Sequence, residues 1–283
     1  MFLCSGPDLV VESCKAGIAG TFPALNQRTS EGFEDWLKEI QDRLGDDDAP
    51  YGVNLIVHPS NPRVQADLEL CVKHKVPLII TSLGAVPDLV NAVHSYGGIV
   101  FHDVIKRRHA EKAVEAGVDG IIAVAAGAGG HAGTFSPFAL VSEIREFYDG
   151  AIALSGCMTH GGHVLAAEAM GADFGYIGSH FIAAQESMAV QGQKDMMMEC
   201  SAQDITYTDK VTGVGANFLT PSLEAASIEH APGEMSLNEE AKAWKTIWSA
   251  GHGVGATKES LPAKAICEQL IAEYDAAKAN ICG

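Results

Sequence analysis

Short apolar runs and helix-like stretches take turns along most of this chain, and that alternation limits the folds open to it. Strand-like runs occupy 17–22, 52–57, 77–82, 98–101, 118–125, 151–154 and 174–177. Helical patterns fill 30–44, 62–74, 87–96, 107–116, 137–148 and 163–170 between them. Strands separated by helices in this way belong to a parallel sheet with its helices outside. The runs are continuously apolar, as expected of strands covered on both faces. With 283 residues and 47% hydrophobic content, the chain can bury a large core.

Seven runs are one short of the eight that a closed (β/α)8 barrel requires. The chain opens on Met1-Phe2-Leu3-Cys4-Ser5-Gly6-Pro7-Asp8, followed by a helix-like 9–16. That opening reads as the loop after a first strand, with the strand itself absent. The alternatives are an open doubly wound sheet and a TIM barrel lacking most of its first strand; the second is the expectation. Beyond Gly178-Ser179, helical patterns at 186–194 and 237–249 flank an irregular 205–221, and a last helix covers 261–279. The expected organisation is a barrel over 1–188, a helical insertion or lid over 189–249, and a closing segment over 250–283 that returns to the barrel.

Composition removes several classes of partner. The net charge of −17 opposes binding to nucleic acid or anionic membrane, which needs clustered Lys and Arg. No apolar run approaches the about 18–20 residues needed to span a bilayer, and no signal-like start is present. A soluble, cytoplasmic chain is expected. The seven cysteines are scattered without a C-x-x-C pair, so neither a disulfide framework nor a zinc site is expected.

The reactive residues gather where such a sheet presents its strand ends. Gly127-Ala-Gly-Gly-His131-Ala-Gly133 directly follows an apolar strand. Its glycines allow backbone to approach a flat ligand, and His131 is the one bulky group able to move a proton near neutral pH. Ser155-Gly156-Cys157 and Gly178-Ser179 end the last two strands. Small turns at these places form the usual barrel phosphate site, from backbone amides and hydroxyls. Neither turn carries a basic residue, which suits a monophosphate better than a polyphosphate with Mg2+. A metal site is not expected. His102 and Asp103 are adjacent on a strand and point to opposite faces, while His160 and His163 lack a nearby carboxylate in sequence. Ser-His-Asp chemistry has no G-x-S-x-G elbow.

Gly-Val-Asn-Leu (52–55), Ala-Gly-Ala-Gly-Gly-His-Ala-Gly (126–133), Leu-Ser-Gly (154–156), Gly-Ala-Asp-Phe-Gly-Tyr-Ile-Gly-Ser-His-Phe (171–181) and Trp248-Ser-Ala-Gly251-x-Gly253 occur in order. This set resembles the nitronate monooxygenase family, formerly the 2-nitropropane dioxygenases, over nearly the whole chain. The resemblance implies a TIM barrel that binds FMN, with its phosphate at the turns after the last two strands and His131 at the flavin's reactive edge. It assigns cofactor contacts to Met1, Asn54, Asp103, Gly129, Gly130, Ser155, Gly156, Cys157, Gly178 and Ser179. It implies oxidation of alkyl nitronates by O2 to a carbonyl compound and nitrite, by way of a flavin semiquinone.

Some positions depart from the family pattern. Members usually begin with a strand ending in Ala-Pro-Met, of which only Met1 is present here. Cys157 replaces a common glycine and Ser179 a common threonine. Asp103 stands where many members carry Lys or a neutral group, so the flavin potential is expected to be lower unless the carboxylate points away. Two rivals share the same motifs: an NAD(P)H-dependent reductase of quinones or enoyl thioesters, and a degenerate flavin-binding protein. An exposed seam where a strand is missing would favour a homo-oligomer.

Overall fold

The computed structural model describes residues 1–226 and 245–282. Seven parallel strands form one curled sheet with helices on its outer face, a mixed α/β half-barrel. They are β1 (Thr21–Pro23), β2 (Gly52–Ile56), β3 (Leu78–Ser82), β4 (Ile99–Val104), β5 (Gly120–Val124), β7 (Ala151–Ser155) and β8 (Phe174–Tyr176), adjacent in that order. The two-residue β6 (Gly130–His131) belongs to a second, antiparallel sheet. Strands β1 and β8 are the two edges of the main sheet. Across the seam between them, Thr21 Oγ1 and Tyr176 Oη lie 3.3 Å apart.

Inward and outward residues alternate along each strand, as the pleat requires. Ile80, Phe101, Ile122 and Ala153 fill the interior of the curl. Their neighbours Ile79, Val100, Ile121 and Ile152 pack outward under the helices. The helix after β1, α2 (Ser30–Arg43), shows how the outer layer is specified. Phe33, Leu37 and Ile40 recur at helical spacing and are fully buried. Its first turn is capped by Thr29, whose hydroxyl accepts from the Gly32 amide.

The expected alternation of elements is present with small changes of boundary. The opening helix is α1 (Pro7–Lys15) and the closing helix is Ala263–Cys282. The later insertion is different from its expectation. The helix expected at 186–194 is Gln191–Glu199 instead. Ser187 and Met188 are tied to the opening loop, where the Ser187 hydroxyl and the Met188 amide both donate to the Cys4 carbonyl. The helix therefore begins only beyond them. The stretch expected to be irregular is a hairpin of β9 (Ile205–Thr208) and β10 (Ala216–Leu219), leading into the short helix Thr220–Ala225. Strand β10 pairs with β6 and so adds the hairpin to the Gly-Gly-His loop. The helix expected at 237–249 lies largely outside the described residues. Among the described residues, no helix is long and apolar enough to cross a membrane.

Candidate active site

Loops at the carboxyl ends of the strands surround a cavity of about 1580 Å3, which continues into the interior of the curl. Met1, Gly129, Gly130, His131, Ser155, Gly156, Cys157, Gly178 and Ser179 all line it. Asn54 and Asp103 do not. They line a second cavity of about 170 Å3 with Ser82, and Met1, Phe2 and Tyr176 border both spaces.

The turn after β7 depends on backbone that few residues adopt. Gly156 has φ +128° and Cys157 φ +56°. A side chain at Gly156 would also bring its Cβ to 3.0 Å from the Ala126 carbonyl. The glycine loop after β5 leans on the segment Trp248–Gly253. A Cβ on Gly129 would lie 2.7 Å from the Gly251 nitrogen, and one on Gly251 2.5 Å from the Gly127 carbonyl. The amides of His252 and Gly251 donate to Gly127 O at 2.9 Å and to Ser179 Oγ at 2.8 Å. The Ser179 oxygen thus ties the turn after β8 to the closing segment, and among the described residues no acceptor takes its own proton. Gly178 is different: a Cβ there would reach into the cavity and meet only Met1, at 3.6 Å.

His131 is half-buried on β6, with Nε2 3.3 Å from Thr212 Oγ1. The hairpin holds this loop from one side. Ala216 is in register with His131 and Asn217 with Gly130, while Asn217 Nδ2 donates to the Ala128 carbonyl at 2.7 Å. The opening loop is held by Asn26, whose amide group donates to Met1 O and Ser5 O and accepts from Leu3 N.

Across the mouth, three neighbouring strands supply a polar track. Asn54 Nδ2 donates to Ser82 Oγ at 2.7 Å, and Ser82 Oγ donates to Asp103 Oδ2 at 2.5 Å. Burial pushes the Asp103 carboxyl up to about 6, against the Ser82 hydrogen bond that favours its charge. His102, one residue earlier, points to the opposite face, where Nδ1 lies 2.7 Å from Thr81 Oγ1. Burial lowers it to about 4, helped by the charge of His109. His160 and His163 do have a carboxylate nearby, contrary to the sequence reading: Glu273 of the closing helix is 3.5 Å from His160 Nε2. Both rings are engaged at the start of α7 (Gly161–Ala169). His160 accepts from Gly162 N and His163 from Thr159 N. Among the described residues, no group of His, Cys, Asp and Glu is arranged to hold a metal ion.

Thr212, Asn217, Ser82 and Asn26 were not found from sequence. The hairpin had a readable signal, since a β-branched Ile-Thr-Tyr-Thr run precedes the turn glycines Gly213 and Gly215.

The family profile for nitronate monooxygenase matches residues 21–273, which includes every strand and every turn just described. The chain belongs to the nitronate monooxygenase family. That family is one of flavin-dependent oxidoreductases. A dehydrogenase of an indene-carboxyl-CoA ester, (3aS,4S,5R,7aS)-5-hydroxy-7a-methyl-1-oxo-octahydro-1H-indene-4-carboxyl-CoA dehydrogenase from Rhodococcus jostii, is 26% identical over 80% of this chain and 62% of its own length. A nitronate monooxygenase from Paraburkholderia phytofirmans is 26% identical over 65% of this chain and 56% of its own. The matched region therefore spans less than two thirds of either relative. The crystal structure of nitroalkane oxidase from Streptomyces ansochromogenes superposes with a TM-score of 0.87 at 23% identity, covering 98% of this chain and 94% of that one. At that identity the family likeness in structure speaks for the fold.

Proposed function

We propose that this chain binds FMN and oxidises alkyl nitronates with O2 to a carbonyl compound and nitrite. One observation carries the reading: His131 stands on a glycine-flanked strand at the same cavity that receives the turns after β7 and β8. The residues fit the cofactor. The amides of Gly156 and Gly178 donate to no other described residue, and the open side of Gly178 leaves a space that a Cβ would fill. Those amides, with the hydroxyls of Ser155 and Ser179 and the turn at Cys157, would hold the phosphate through dipoles. Gly129 and Gly130 would let backbone lie against the ring, with Met1, Asn54 and Asp103 towards its pyrimidine side.

When bound, the flavin supplies the electron-accepting chemistry. The chain's residues do the rest. Neutral His131 takes the α-proton of a nitroalkane; protonated, it pairs with the anionic nitro group of a nitronate. Apolar walls from Ile80, Phe101 and Ile122 keep water from the reacting atoms. In this reading the described part of 189–249 forms a lid on the barrel of 1–188, and the described part of 250–283 closes it. The test is nitrite release by the FMN-loaded chain from propionate 3-nitronate in air. Nitrite formed with O2 uptake is the expected result; a chain that forms none overturns the reading.

A second reading is NAD(P)H-dependent reduction of a quinone or thioester. It is favoured by the relative whose name includes a CoA ester. NADH oxidation that depends on an enoyl thioester, without nitrite formation, selects it.

A further inference from the structure

Gln193 lies outside every motif seen in the sequence, yet it lines the cavity. It sits in the first turn of the helix Gln191–Glu199 and is 8% exposed. One end of its carboxamide is occupied. Burial raises the Cys4 thiol, which therefore keeps its proton and donates it to Gln193 Oε1, with Sγ at 4.0 Å. The other end, Nε2, can only donate. Among the described residues, no acceptor meets it. Nor is it sealed in, since the fully enclosed polar atoms without a partner are Tyr51 Oη and Asn217 Oδ1. The free nitrogen opens on the cavity.

The neighbourhood fixes where that nitrogen stands and what it faces. Gly192 abuts Trp248, and a Cβ there would lie 3.1 Å from the indole ring. The segment Trp248–Gly253 in turn leans on Gly129 of the His131 loop. Two close contacts thus join Gln193 to the reactive loop, with the opening loop on its other side. The corner is also positive. The amides of Gln191 and Gly192 donate to no described residue, which leaves the helix N-terminus open. Lys194 is buried, with Nζ 2.7 Å from the Ala184 carbonyl, and Lys245 lines the cavity. Glu186 is the carboxylate facing Lys194, and it accepts from the Ala263 amide.

We propose that Gln193 is a substrate-binding residue whose Nε2 donates to an oxygen of a planar anionic group on the substrate, a nitronate or a carboxylate. A charged oxygen makes the stronger bond with such a donor, so neutral nitro compounds gain less from it. The contact stands by itself; the name of the substrate rests on the proposed function.

Two measurements test it. The first needs no turnover. It follows the Gln193 side-chain NH2 signal in 15N NMR spectra of the full chain with FMN present, identified by its loss in Gln193→Glu. Sodium nitrite or sodium acetate should move this signal saturably, and sodium chloride at the same ionic strength should not. A signal that neither planar anion moves, or that chloride moves equally, overturns the proposal. The second is steady-state kinetics with ethyl nitronate, propionate 3-nitronate and neutral nitroethane. Gln193→Glu keeps an oxygen for the Cys4 thiol and replaces the donor with a negative charge. It should raise KM for a nitronate about tenfold or more, the loss of one hydrogen bond to a charged group. A rise on both nitronates puts the nitronate group at Nε2, and a rise on propionate 3-nitronate alone puts the carboxylate there. KM for nitroethane should stay within about twofold, as expected of a weaker, uncharged acceptor. Equal losses of kcat/KM on all three substrates would show a merely structural role and overturn the proposal. If no substrate yields nitrite, the nitronate reading fails, and the Gln193 signal still decides the contact.

Discussion

The two sides of the barrel mouth are built by different means. On the β2–β4 side, Asn54, Ser82 and Asp103 sit on inward positions of neighbouring parallel strands and touch one another because the sheet register brings them together. On the opposite side, His131 sits on the two-residue β6 paired with β10, while Gly156 and Ser179 are placed by turns that rest on other loops, with Gly129 and Gly251 in contact that leaves no room for a Cβ. The first side has side chains that can be exchanged on a fixed frame. In the second, backbone itself is the contact surface, and a single methyl group displaces it.

This contrast can be broken by substitution. The largest effect belongs to His131→Gln, which should lower nitroalkane turnover by about a thousandfold, the usual range for a lost acid–base group. Steady-state nitrite formation measures it, and near-normal rates would remove His131 from the chemistry. Next comes Gly129→Ala, whose Cβ meets backbone atoms of Ala250 and Gly251. It should cost about 3 kcal/mol of stability by overpacking, read by urea denaturation, and should weaken FMN binding as well.

Asp103→Asn tests the other side. Its folded-state carboxyl is raised from 3.8 to about 6, so the folded chain holds the proton more tightly than the unfolded chain. Stability from this group is then fullest below about pH 4 and falls as pH rises towards about 6. The asparagine variant escapes that fall. In the flavin-free chain it should equal the parent near pH 4 and exceed it by roughly 3 kcal/mol at pH 7. A difference that does not change with pH would contradict the burial of a titrating carboxylate. The smallest effect is that of Gly178→Ala, with φ −120° and only Met1 near the added carbon. Its stability should change by less than about 0.5 kcal/mol, while FMN binding falls. Equal destabilisation by Gly129→Ala and Gly178→Ala would erase the contrast between built backbone and open cradle.

The same division explains what was legible in the sequence. The strand runs are continuously apolar and do not mark which residues face in, but the opposite facing of His102 and Asp103 follows from adjacency alone. The glycines of the His131 loop and of the turn after β7 announce backbone that other residues adopt poorly. The hairpin was not legible as part of the site. Its strands are four residues each, and its partner is a two-residue strand more than seventy positions earlier. Nothing local in Thr212 or Asn217 points to His131 or Ala128. The misplaced start of the helix Gln191–Glu199 has a similar origin, because the contacts that hold Ser187 and Met188 come from Cys4 near the other end of the chain.

The central claim is that the turns after β7 and β8 form a phosphate cradle beside His131. It is tested most directly by titrating the flavin-free chain with FMN and, separately, with riboflavin, which has the same ring and no phosphate. The account predicts that FMN binds about a hundredfold more tightly, the contribution of about two hydrogen bonds to a charged group. Equal affinity for the two flavins, or no binding of FMN, would contradict it.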